Sequence, residues 1–102
     1  MPYLIQILLP LYDNKNQLLP AELHAGVKEV LTEKFGGLTA HTRAPAEGEW
    51  KEGAKEVRDD IVIYEVISPS LGKRWWKEYR QLLELRFKQE EVMIRALEMV
   101  RL

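Results

Sequence analysis

The segment Thr39-Ala40-His41-Thr42-Arg43 places a histidine and an arginine two residues apart. In an extended chain, side chains two apart share a face. Thr39, His41 and Arg43 then form one polar strip containing a titratable group. Enclosed, His41 is a candidate general base and Arg43 an anion clamp. On an open edge strand the same residues are a solvated face that discourages aggregation. Glu65 is the lone charge in the apolar run 61–67. A carboxylate among aliphatic side chains needs a partner or a raised pKa. Arg95, inside a C-terminal run, is its candidate partner if the two share a sheet face, and a structural ion pair is the plainer reading. His41, Arg43 and Glu65 are thus the candidate catalytic residues, with Trp50, Tyr64 and Arg95 as candidate ligand contacts. Trp50 lies beside Lys51-Glu52-Gly53, which reads as a hairpin tip; an aromatic there either seals a pocket or packs across a dimer boundary.

Other residues have plainer explanations. His24 falls on the flank of a helical pattern and reads as a histidine at the core edge. Trp75-Trp76 stands among Lys73, Arg74 and Lys77, a mixture that could suit stacked bases or an anionic bilayer. Both tryptophans nonetheless fall in the apolar arc of a helix with the cations opposite, which is the pattern of a core. Asp59-Asp60 points to both sides of an extended chain and reads as a turn cluster, with no metal site. The chain contains no Gly-rich phosphate loop, HExxH, GxSxG or EF-hand series, and no cofactor is expected.

The elements that must position these residues are bounded by composition. A chain of 102 residues has room for a single α+β domain, 1–102, and buries enough surface to fold without a staple. It has no cysteine, which excludes disulfides and cysteine-rich metal sites and agrees with a cytoplasmic setting. Fifteen basic and sixteen acidic residues leave a net charge of −1. No overall field therefore directs the chain to nucleic acid or to an anionic membrane. The apolar run 3–9 is too short to span a bilayer and has no basic leader.

Residues 3–9 read as a buried strand stopped by Pro10, followed by an Asx-rich turn at Asp13-Asn14-Lys15-Asn16. A helix starts at Pro20, buries Leu23, Val27, Val30, Leu31 and Phe35, and ends at Gly36-Gly37. Residues 38–44 alternate as a strand, and 45–58 form a hairpin whose return leads into a strand at 61–67, rich in β-branched residues. Ser68-Pro69 reads as the start of a second helix, buried through Leu71, Trp75, Tyr79, Leu82 and Leu83, with Trp76 and Phe87 widening that face. Residues 91–102 fit either a helix or a strand. Propensity favours helix; a final strand would cover the edge of a three-stranded sheet, and that is the expectation adopted. The order is then βαββαβ, the ferredoxin-like split pattern: a four-stranded antiparallel sheet with two helices on one face.

A monomer of that design has one face of its sheet in water, and its strands alternate between apolar and polar. Here they do not. Leu4 and Leu8 oppose Ile5 and Ile7 with only Gln6 polar; Ile61, Ile63 and Ile67 oppose Val62, Tyr64 and Val66; Met93 and Leu97 oppose Val92 and Ile94. Two helices cover one face, so the other calls for a partner. A homodimer with sheets face to face meets that need, and the alternative is the 45–58 hairpin folded over the open face.

Lys34-Phe35-Gly36-Gly37-Leu38-Thr39-Ala40, Gly48-Glu49-Trp50, Asp59-Asp60-Ile61-Val62, Trp75-Trp76-Lys77-Glu78-Tyr79-Arg80 and Phe87-Lys88-Gln89-Glu90-Glu91-Val92 together resemble a family of small bacterial proteins with ferredoxin-like folds. The resemblance implies the fold and the final strand. That family brings no activity with it, so no catalytic residue is carried over. The dimeric α+β barrels, which include small monooxygenases, isomerases and ligand-sensing proteins, are similar in architecture only. Two function classes remain: a homodimeric module binding a small molecule or a partner, and a small cofactor-free enzyme acting on an organic metabolite. Single-stranded nucleic-acid binding finds little support, because the 61–67 strand offers Tyr64 alone and no basic Gly-aromatic motif.

Overall fold

The computed structural model describes residues 1–43 and 60–102. Six elements follow in order: β1 (Tyr3–Pro10), α1 (Ala21–Phe35), β2 (Thr39–Arg43), β3 (Ile61–Ser68), α2 (Lys73–Arg86) and β4 (Met93–Glu98). The sheet order is β2-β3-β1-β4 with every neighbouring pair antiparallel. This is the expected ferredoxin-like βαββαβ arrangement, including the final strand. Helix propensity in 91–102 yields to pairing with β1, in which Ile94 lies opposite Ile7 and Ala96 opposite Ile5. The strand reading is the one that gives β1 a second neighbour.

Alternation within the strands sorts the two faces. Ile5, Ile7 and Leu9 on β1 and Val62, Tyr64 and Val66 on β3 join one core with Val27 and Leu31 of α1 and Trp76, Tyr79 and Leu83 of α2. Both helices therefore lie on one sheet face. Full burial of an aliphatic or aromatic side chain of this kind contributes roughly 1.5–3 kcal/mol. Helix α1 ends as expected: Gly36 takes φ 81° and its N–H returns to the Thr32 carbonyl, a left-handed position that glycine occupies without steric cost.

The second helix departs from expectation. Ser68 and Pro69 do not start it; β3 runs through Ser68, which pairs with Tyr3, and α2 begins at Lys73 after Gly72 at φ 53°. The Ser68 hydroxyl is spent within its own turn, donating to the Ser70 carbonyl at 2.6 Å. A side chain engaged in the strand exit is not available as an N-cap. Leu71 thus lies outside the helix, and Leu82, expected on the buried face, is 38% exposed. Phe87, just past the last turn, is fully buried as expected.

The opposite sheet face is open in part: Ile63, beside His41, is 8% exposed, but other apolar side chains on that face are not covered among the described residues. Ile67, Met93 and Leu97 are 44%, 52% and 50% exposed, where a water-facing sheet would carry polar side chains. The expected hairpin at 45–58 lies outside the described residues. No helix among the described residues is long and apolar enough to cross a membrane.

Candidate functional site

Four polar side chains cross that open face in a row, one from each strand. Gln6 stands at the centre of β1, directly opposite Glu65 on β3 and Arg95 on β4. Gln6 Nε2 donates to Glu65 Oε2 at 2.8 Å, and Arg95 Nε donates to Gln6 Oε1 at 2.7 Å. From β2, where His41 pairs with Ile63, the imidazole reaches diagonally so that Nε2 lies 2.5 Å from Glu65 Oε1. The Gln6 amide has no choice of orientation: a carboxylate takes only its N–H, and a guanidinium takes only its oxygen. Both Glu65 oxygens are engaged.

Electrostatics follow from these contacts. The Glu65 side chain is 18% exposed against 55% for His41. Its carboxyl is held below the ordinary carboxylate range first by the Gln6 hydrogen bond, against the opposing pull of burial, with the contact to His41 adding to the effect. Glu65 is thus an anion at neutral pH. It can orient the His41 imidazole, as a carboxylate does for a general base. Arg95 supplies a planar set of donors at the opposite end, suited to carboxylate or phosphate.

Three of the expected site residues, His41, Glu65 and Arg95, are therefore brought together, although Glu65 and Arg95 do not touch. Strand β1 lies between β3 and β4, so the pair is bridged by Gln6 rather than joined directly. The bridge had a signal: Gln6 is the single polar residue on its side of β1, and the βαββαβ order puts β1 between those two strands. Arg43 ends β2 opposite Ile61. Trp50 lies outside the described residues.

Tyr64 is on the other face, 1% exposed, and does not join the row. Its hydroxyl lies 2.6 Å from His24 Nδ1, while His24 Nε2 lies 3.0 Å from the Pro10 carbonyl. A carbonyl only accepts, so the imidazole donates from Nε2 and its Nδ1 accepts from the tyrosine. Burial lowers the His24 pKa, the Pro10 bond opposes this, and Lys28 adds a small further push down. Burial pushes the Tyr64 phenol up to about 12. His24 is accordingly the core-edge histidine expected from its place on the helix. The tryptophans also belong to the core side: Trp76 stacks on Phe35 at 5.4 Å, Trp75 stacks on Tyr79 at 5.0 Å, and Lys34 Nζ sits 4.5 Å from the Trp75 ring centroid. A cleft of about 220 Å³ lies beside them, lined by Lys34, Phe35, Trp75, Trp76 and the Ser68 turn; His41, Tyr64, Glu65 and Arg95 do not line it. Among the described residues no cluster of histidine and acidic side chains could hold a metal ion.

Comparison with known proteins yields a likeness of fold. No family model and no curated protein matches the chain. The chain is similar to a phage SAM lyase solved in complex with S-methyl-5'-thioadenosine, with a TM-score of 0.56 and 18% identity over 95% of this chain and 81% of that one. At that identity the likeness speaks for the small α+β fold and not for the chemistry.

Proposed function

We propose that this protein is a homodimeric binding module for a small organic molecule, with the row His41–Glu65–Gln6–Arg95 as the floor of its site. The observation that carries the reading is the position of this hydrogen-bonded row within a sheet face whose flanking Ile67, Met93 and Leu97 are substantially exposed. Binding sites for organic molecules are mostly apolar with a few fixed polar groups, and a partner sheet would supply the missing wall. Native mass spectrometry of the untagged protein tests it. The expected species is a dimer carrying a stoichiometric small-molecule adduct, or one that takes up an organic anion from a panel of carboxylates and nucleotides. A monomer at all concentrations sinks the reading.

A second reading is a small cofactor-free enzyme acting on an organic metabolite. It draws on the fold shared with a phage SAM lyase and on the His41–Glu65 contact, a base with its orienting carboxylate. In it His41 moves the proton, Glu65 orients it and Arg95 holds an anionic group, with Arg43 and Trp50 as further candidates. Incubation with SAM, followed by chromatography of the products, separates the readings: consumption that disappears in His41→Ala while the fold persists favours the enzyme.

A further inference from the structure

The homodimer proposed above can be assembled in two principal ways, and the charges on the open face distinguish them. Two sheets set face to face are related by a two-fold axis lying in the plane between them, directed either across the strands or along them. An axis across the strands, at the level of Gln6, lays each member of the row over its own copy. Arg95 would then face the partner's Arg95, and Glu65 the partner's Glu65. An axis along the strands, midway between β3 and β1, reverses the row end for end, because the order β2-β3-β1-β4 is divided evenly there. Strand β4 then lies over the partner's β2, and β1 over the partner's β3.

The row is electrically polar. Its cation, Arg95, is on β4; its anion, Glu65, is on β3 with His41 on the far side. Like charges directly opposed across an interface cost several kcal/mol, and complementary ones fix the register. The apolar flanks do not decide, since both axes set aliphatic side chains on aliphatic ones. Along the strands, Leu4 meets the partner's Ile67 and Leu8 lies over the partner's Ile63, itself only 8% exposed in the single chain, because these positions share a level in the β1–β3 ladder. Across the strands, Leu8 meets the partner's Leu4. Among the described side chains of this face, the row discriminates.

We infer that the second copy binds with its two-fold axis along the strands, so that Arg95 of each protomer faces the His41–Glu65 end of the other. Arg95 commits one donor, Nε, to Gln6; among the described residues its remaining N–H donors meet no acceptor, which leaves them for the partner. Neighbouring strands are about 4.8 Å apart and packed sheets about 10 Å, so an arginine on β4 reaches between the partner's β2 and β3. Each site in such a dimer is completed by a residue of the other chain.

Charge reversal tests this by sedimentation velocity at low salt. Wild type is expected to be dimeric. Arg95→Glu is expected to weaken the dimer by about tenfold or more, and Arg95→Glu combined with Glu65→Arg to recover most of that loss, because the reversed row is again complementary to itself. If Glu65→Arg does not fold, a mixture of wild type with Arg95→Glu decides alone. An axis along the strands places the mixed dimer between the two homodimers in affinity; a mixed dimer tighter than wild type means an axis across the strands and overturns the inference. A wild-type dimer indifferent to Arg95→Glu overturns it too, leaving the binding module intact. A wild-type monomer instead overturns the module itself.

Discussion

Gln6 Nε2 lies 2.8 Å from Glu65 Oε2, across the one strand pair in which both residues stand directly opposite each other. This bond, more than the contact with histidine, holds the Glu65 carboxyl below its ordinary range. It also joins the two central strands on the side that the helices leave uncovered. The centre of the open face is therefore tied together by a neutral amide whose two ends are both specified.

Replacing Gln6 by Met keeps the volume and removes both of its bonds. The expected loss is about 1–2 kcal/mol at neutral pH, measured by urea unfolding at fixed protein concentration. A carboxylate with a depressed folded pKa lends stability above its unfolded value of about 4.3 and loses it as pH falls through the folded value. The gap between wild type and Gln6→Met should accordingly narrow when the melts are repeated in acid. A gap that is constant with pH would assign the effect to packing.

The buried histidine has its own pH signature. His24 has a folded pKa lowered from the usual 6.5, so the unfolded chain takes up its proton first. Its contribution to stability is complete above that value and is lost as pH falls through the folded pKa. Stability is expected to decline from about pH 6.5 downward, and His24→Gln to flatten that part of the curve at the cost of some stability at pH 8. An unchanged slope would place the acid sensitivity elsewhere.

Gly36 and Gly37 give a paired test of the helix end. A side chain at Gly36 must accept φ +81°, whereas Gly37 carries no such demand and a Cβ there meets nothing within 4 Å. Gly36→Ala is expected to cost about 1–2 kcal/mol and Gly37→Ala less than about 0.5 kcal/mol, read as shifts in the thermal midpoint.

Trp76 and Trp75 are adjacent in sequence and unequal in the fold. Trp76 is 8% exposed and stacks on Phe35, so Trp76→Ala should cost about 3–5 kcal/mol. Trp75 is only partly buried, and its replacement should cost clearly less. Equal losses would mean that Trp75 carries more of the contact between the helices than its burial suggests.

Much of this architecture could be read from alternation. Because side chains two apart share a face, Ile5 and Ile7 separate from Leu4 and Leu8 before any contact is known, and the same holds for β3. What escaped were features decided by local hydrogen bonds or by strand order. Ser68-Pro69 has the composition of a helix start, but a ladder partner in Tyr3 and a hydroxyl turned to Ser70 keep it in the strand exit. Residues 91–102 suit two periods equally, and the strand expected there from the need to cover a sheet edge is borne out by pairing with β1. Charge is conspicuous in a sequence and points to an ion pair between Glu65 and Arg95, while the amide that lies between them is not conspicuous. Residue type makes Tyr64 a candidate ligand contact, yet its parity with Val62 and Val66 places it beneath the sheet, against His24.

The chain has two histidines, and the sheet separates them. His24 lies on the helix side, anchored by the Pro10 carbonyl and the Tyr64 hydroxyl, and His41 lies on the open side against Glu65. Their imidazole proton and nitrogen signals therefore form two independent reporters in one spectrum. A molecule or a second copy that settles on the open face moves the His41 signals and leaves those of His24 in place. Loosening of the core does the reverse. Occupancy and folding can thus be followed separately in the same sample, with no label added and no residue replaced.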